Sequence, residues 1–162
     1  MNVEAKIDVP REILQSRSSQ CGFSLIELLI VVTVISIIAA IAITYLQQAR
    51  EAAQGASAVG GLRVIHSSEI SYRALYETYG DLPTLNRTGF INDPDLGAGL
   101  KSDYIYSLVL GDAILGDATR YYRSTATPAL KPSDRKHFFI DATGIIRSEL
   151  GALATRLSSP VD

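Results

Sequence analysis

The chain has 162 residues, a formal net charge of −2, 47% hydrophobic residues and one cysteine, Cys21. That length suits one domain plus an anchor, and the near-neutral charge argues against a nucleic-acid-binding surface. One cysteine with only His66 and His137 excludes an intramolecular disulfide and a structural zinc site. No Gly-x-Ser-x-Gly elbow, Cys/His pair or His-Glu-x-x-His motif occurs, so no familiar catalytic signature marks an enzyme.

Residues 1–22 read as a leader. The segment is polar, sets Lys6, Arg11 and Arg17 against Glu4, Asp8 and Glu12, and has no apolar core. An ordinary secretory signal carries its apolar stretch before the cut. Here the apolar stretch comes afterwards, so it survives processing. A lipidated Cys21 would also need an apolar region before it, and Ser18-Ser19-Gln20 is polar.

Residues 23–46 form the membrane-spanning segment. Between Phe23 and Leu46 the one charged residue is Glu27. A helix over these positions is about 36 Å long, enough to cross a hydrocarbon core of about 30 Å. Apolar residues fall on every face, which suits lipid and not a half-solvated helix. A carboxylate costs about 2.5–3.5 kcal/mol at the centre of a span and less near an end. The Leu, Ile and Val residues, at about −0.3 to −0.6 kcal/mol each, outweigh it. The segment therefore inserts, but no Lys, Arg or His occurs from Phe23 to Tyr45 to neutralise Glu27. The cation has to come from another chain or from a newly exposed amino terminus.

Gly22-Phe23-Ser24-Leu25-Ile26-Glu27 followed by this apolar run resembles the processing and assembly signature of type IV pilins and type II secretion pseudopilins. The resemblance implies that a membrane prepilin peptidase cuts between Gly22 and Phe23 and methylates the new amino terminus. It implies that Glu27 neutralises the amino terminus of a neighbouring subunit, the same demand that the residues make by themselves. It further implies an α+β pilin-like fold: one long amino-terminal helix, half membrane-spanning and half amphipathic, packed on a small antiparallel sheet of about four strands. This chain departs from the family pattern in three ways. Its leader is long, with the nearest base, Arg17, five residues before Gly22. Thr44 stands where many relatives have a helix-bending proline. The disulfide that closes a carboxy-terminal loop in many members has no cysteines here.

Residues 47–79 continue the helix as its amphipathic half. Val59, Leu62, Ile65, Tyr72, Leu75 and Tyr76 recur at helical spacing, while Arg63, Glu69 and Arg73 point elsewhere. Without a proline at position 44 a straight passage is expected, ending near Tyr79-Gly80, where glycine takes a left-handed cap. His66 and Glu69, three apart, are expected on a solvated face and not as a metal or acid–base pair. Residues 80–103 read as a long loop with a turn at Asn92-Asp93-Pro94-Asp95. Asp93 and Asp95 lack the spaced oxygen set that calcium needs.

Residues 104–147 read as the sheet. Tyr104–Leu110, Thr119–Thr127, His137–Ile140 and Ile145–Arg147 are four strands joined by short turns, which favours an antiparallel meander. Residues 148–162 lack a sheet pattern and are expected to form a loose tail. Asp112 and Asp117 flank a loop between strands. The likeness to major pseudopilins, which bind calcium in such a loop, makes these two the metal candidates, against a plainer reading as solvated turn residues.

The resulting expectation is a structural subunit with no catalytic residue and no cofactor other than that calcium. Its processing residues are Gly22 and Phe23, and its assembly residue is Glu27. The partners implied by the resemblance are further copies of the chain, related pilins, prepilin peptidase, an inner-membrane assembly platform and, before assembly, membrane lipid. The location implied is the cytoplasmic membrane first, then a surface pilus or a periplasmic pseudopilus. Two alternatives stay open: a pseudopilin of a type II secretion system, and an unprocessed single-pass membrane binding protein.

Overall fold

The computed structural model describes residues 22–111 and 120–161. The chain divides into two units, with the boundary between Ile41 and Ala42. A helical assignment, α1, runs unbroken over Leu25–Tyr76. In the first unit its residues are exposed throughout the isolated chain. The hydroxyls of Thr33 and Ser36 donate to the carbonyls of Leu29 and Val32, each at 2.7 Å, so these two polar groups are satisfied within the helix.

In the second unit α1 buries Ala58, Gly61, Leu62, Ile65, Ser68 and Glu69. The buried stripe is rotated from the expected one. Leu62 and Ile65 keep their places, but Leu75 is 71% exposed and Glu69 is 0% exposed. The helix also ends earlier than predicted, at Tyr76, and the left-handed residue after it is Glu77 (φ 59°), not Gly80. Gly80 is needed for another reason. A Cβ there would lie 3.2 Å from Tyr72 and 3.3 Å from Leu85, so its absence lets the turn press against the helix.

The connection expected to be a loop carries two short helices, α2 over Leu82–Arg87 and α3 over Pro94–Gly97. Each begins with a proline at the start and an aspartate cap. Asp81 accepts from the Thr84 amide, and Asp93 accepts from the Asp95 and Leu96 amides. Their buried leucines, Leu82, Leu85 and Leu96, join the core, which is why this connection is ordered.

The sheet has six strands in sequential antiparallel order: β1 Leu100–Lys101, β2 Tyr104–Leu110, β3 Tyr122–Pro128, β4 Lys136–Asp141, β5 Arg147–Leu150 and β6 Ser159–Pro160. β2 has the predicted bounds, and β3 starts later than predicted. Pairings Tyr106 with Ala126 and Ala126 with Phe138 lay one inward row, and Ser124 with Ile140 lies on the next. These residues cover Ala58, Leu62 and Ile65 of α1. A Cβ on Gly61 would come 2.5 Å from the Tyr106 hydroxyl, so that glycine sets how closely the sheet meets the helix.

Residues 148–162 are not the loose tail expected. β5 begins at Arg147, where the fourth strand was expected to end, and runs into the supposed tail. The Val161 amide donates to the Ile146 carbonyl at 2.8 Å and Arg147 donates to the Ser158 carbonyl at 2.9 Å, which returns residues 159–160 as β6. These pairings rest on backbone groups and one arginine at a sheet edge, so no apolar alternation announces them.

Candidate processing and assembly site

Glu27 lies in the first turn of α1, where its amide donates to the Ser24 carbonyl at 3.1 Å. The unsatisfied amides of that turn favour a nearby anion. Ser24 and Glu27 also stand at the Ser-x-x-Glu spacing of a helix start, a signal that a reading focused on the carboxylate overlooks. Phe23 is 84% exposed. Among the described residues, a Cβ added to Gly22 would meet nothing within 4 Å, and Gly22 is not among the positive-φ glycines. The described part of the fold therefore makes no demand for a glycine at position 22. Gly22, Phe23 and Glu27 form one short exposed segment at the head of the apolar helix.

Asp112 and Asp117 lie outside the described residues. Asp93 is committed elsewhere: one oxygen caps α3 and the other pairs with Lys101 at 2.6 Å. That pairing and the capping bonds hold its carboxyl below the usual carboxylate range. Among the described residues no group of three or more His, Cys, Asp and Glu side chains gathers as a metal site.

His66 and Glu69 are not the solvated pair expected. Glu69 is enclosed, with one oxygen accepting from the Gly80 amide at 2.9 Å and the other without a hydrogen-bond partner among the described residues. Burial pushes its carboxyl up to about 7 against the opposing amide bond. His66 shares a hydrogen bond through Nδ1 with the Tyr122 hydroxyl, and burial lowers its pKa while Asp141 opposes the shift. The spacing of three was visible in the sequence, but its burial depended on β3 supplying Tyr122 from 56 residues away.

A second polar cluster sits at the other face of the sheet. Asp141, 2% exposed, accepts from the Tyr121 hydroxyl at 3.0 Å, from the Thr143 amide at 2.9 Å and from the Thr143 hydroxyl. Arg156 pairs with it at 3.0 Å and stacks over Tyr121 at 4.7 Å. The carboxy-terminal segment is thereby fastened to the sheet without a disulfide.

A model of the prokaryotic N-terminal methylation motif matches residues 17–43. Comparisons with curated proteins and with solved structures each give no significant match. The matched motif, continued by a helix long and apolar enough to cross a membrane, fits the precursor of a type IV pilin or pseudopilin. Such proteins are structural, not enzymatic. The α+β layout, a long amino-terminal helix followed by an antiparallel sheet, agrees with that class. The motif implies processing by a prepilin peptidase and assembly into filaments, and the apolar helix fits membrane anchoring before assembly.

Proposed function

We propose that the chain is a structural subunit of a type IV pilus-like filament, held in the cytoplasmic membrane until it is processed and polymerised. Cleavage after Gly22 exposes the amine of Phe23, and the Glu27 carboxylate of one subunit meets the Phe23 amine of the next. One observation carries this reading: an acid within a spanning helix that has no cation from Phe23 to Tyr45. Moving the helix from lipid into a bundle exchanges one apolar environment for another, so apolar burial gives little net drive. The charge match supplies register and direction instead. The freedom of Gly22 from any demand of the described part of the fold supports an external requirement, the fit of a peptidase, for the small residue there.

The test is to express Glu27→Ala and Glu27→Leu and measure both membrane insertion and recovery in sheared surface fibres. Both variants are expected to insert and to be absent from fibres. Abundant normal fibres from either would overturn the role. Wild-type chain found only in short periplasmic filaments would move the assignment to a secretion pseudopilin. A mature product that still begins at Met1 would refute processing altogether.

A further inference from the structure

We propose that Glu69 is a proton-controlled latch that fastens the Tyr79–Asp81 turn, and with it the α2–α3 connection, to helix α1. The carboxyl is 0% exposed and reaches across from the helix to accept the Gly80 amide at 2.9 Å. Its other oxygen is buried and, among the described residues, has no hydrogen-bond partner. A neutral carboxyl tolerates that situation at modest cost, whereas an ionised one loses hydration that nothing replaces. The turn is built for close contact: Gly80 leaves only enough room for Tyr72 and Leu85, and Tyr79 packs edge-on against Tyr122 at 4.7 Å.

The groups around Glu69 come from four elements. On α1, His66 bonds to Tyr122, and Arg73 is committed to Tyr79, donating to its hydroxyl at 3.0 Å. On the turn, Asp81 adds a like charge that further disfavours ionisation of Glu69. From β3 comes the Tyr122 hydroxyl, whose own ionisation burial strongly opposes, and from β4 comes Asp141, which acts on Tyr122 and His66. Among the described residues no cation forms an ion pair with Glu69.

With the turn closed, the Glu69 carboxyl titrates near 7; with the turn open and hydrated, it returns to its ordinary value near 4.5. The raised value favours the closed state fully below the ordinary value and progressively less as pH rises toward 7. Above that the effect levels off. The turn's closing equilibrium is expected to weaken roughly 100-fold across this window. His66 acts with the opposite sign, because its depressed pKa makes the closed state gain as pH rises. A loss of closure on raising the pH therefore cannot come from His66.

The experiment measures exchange of the Gly80 amide in the full chain embedded in lipid nanodiscs, corrected for the intrinsic effect of pH, between pH 4.5 and 7.5. Protection is expected to fall roughly 100-fold in a His66→Gln background, where the opposing contribution is gone. Adding Glu69→Gln should make protection flat, because the amide keeps an acceptor that does not titrate. Flat protection in the His66→Gln protein, or an equal fall with Glu69→Gln added, would overturn the latch.

Discussion

Of the three glutamates on helix α1, Glu27 and Glu69 stand under opposite conditions. Glu27 sits in an exposed first turn of a run whose neighbours are all apolar, whereas Glu69 is enclosed by the head of its own chain. The first acid has the first-turn amides beside it but no cation within its segment to answer its charge. The second is held by a backbone amide and by burial that favours its protonated form. One helix thus has a half whose chemistry is completed by other molecules and a half whose chemistry is completed internally. The same division separates the side chains: Leu62 and Ile65 are fully buried in the isolated chain, while Ile35 and Ile38 are about 60% exposed.

The largest effect expected from breaking this division is on assembly. Glu27→Gln should reduce fibre recovery to background while leaving the thermal midpoint of the head unchanged. Glu69→Gln should do the reverse, leaving fibres intact and raising the stability of the head at pH 7.5. Fibre counts and thermal melts on both variants check this. Equal effects of the two variants on either readout would erase the contrast.

Next in size is Asp141→Ala. Asp141 is an internal acid that accepts from several partners, and removing it strands Tyr121 and unpairs Arg156. A cost of about 3 kcal/mol is expected, because the buried Tyr121 hydroxyl and the Thr143 donors lose their acceptor together. For a head of this size that lowers the melting midpoint by roughly 10 °C or more. Fibre formation at temperatures well below that midpoint should persist, in contrast to Glu27→Gln.

The parts legible in the sequence were those set by local chemistry. The anchor showed as a run without polar relief, Gly22 to Glu27 as a fixed spacing, and β2 as strict alternation from Tyr104 to Leu110. What escaped were features decided by distant partners. Glu69 read as solvated because its cover, Tyr122 and the Tyr79–Asp81 turn, comes from beyond the helix. The end of α1 was misplaced because Gly80 was assigned a capping role when it serves a close approach to Tyr72 and Leu85. β6 was missed because a two-residue edge strand held by main-chain bonds leaves no hydrophobic pattern. At the candidate site, Glu27 was legible by its cost in lipid, while the capping role open to Ser24 drew no notice beside it.

A smaller effect is expected from Gly61→Ala in the head. Alanine favours the helix by about 1 kcal/mol over glycine, but here the new methyl would fall 2.5 Å from the Tyr106 hydroxyl. Tyr106 is itself buried, so it cannot swing into water, and overpacking of this kind costs about 1–3 kcal/mol. A net loss of about 1 kcal/mol is expected in thermal or denaturant unfolding. Ile35→Ala in the anchor, a larger change in volume, should leave the unfolding of the head untouched. A stabilised Gly61→Ala protein would mean that the sheet rides farther from the helix than the Tyr106 contact implies.

The smallest effect tests how the carboxy-terminal segment is fastened. Arg156 is an ion-pair partner of Asp141 and a stacking partner of Tyr121, yet its side chain is 42% exposed, so water competes for its charge. Exposed pairs are worth about 0.2–1 kcal/mol, and an exposed cation–π contact about 0.5–1 kcal/mol. Arg156→Ala should therefore cost about 1 kcal/mol, well below Asp141→Ala, since Asp141 keeps Tyr121 and Thr143 as donors. The loss should shrink in high salt to the extent that the ion pair carries it, whereas the Asp141→Ala loss, being a matter of buried hydrogen bonds, should change little. Urea unfolding of both variants at low and high salt separates the two, and a salt-insensitive loss at Arg156 would assign the fastening to stacking on Tyr121 instead of charge.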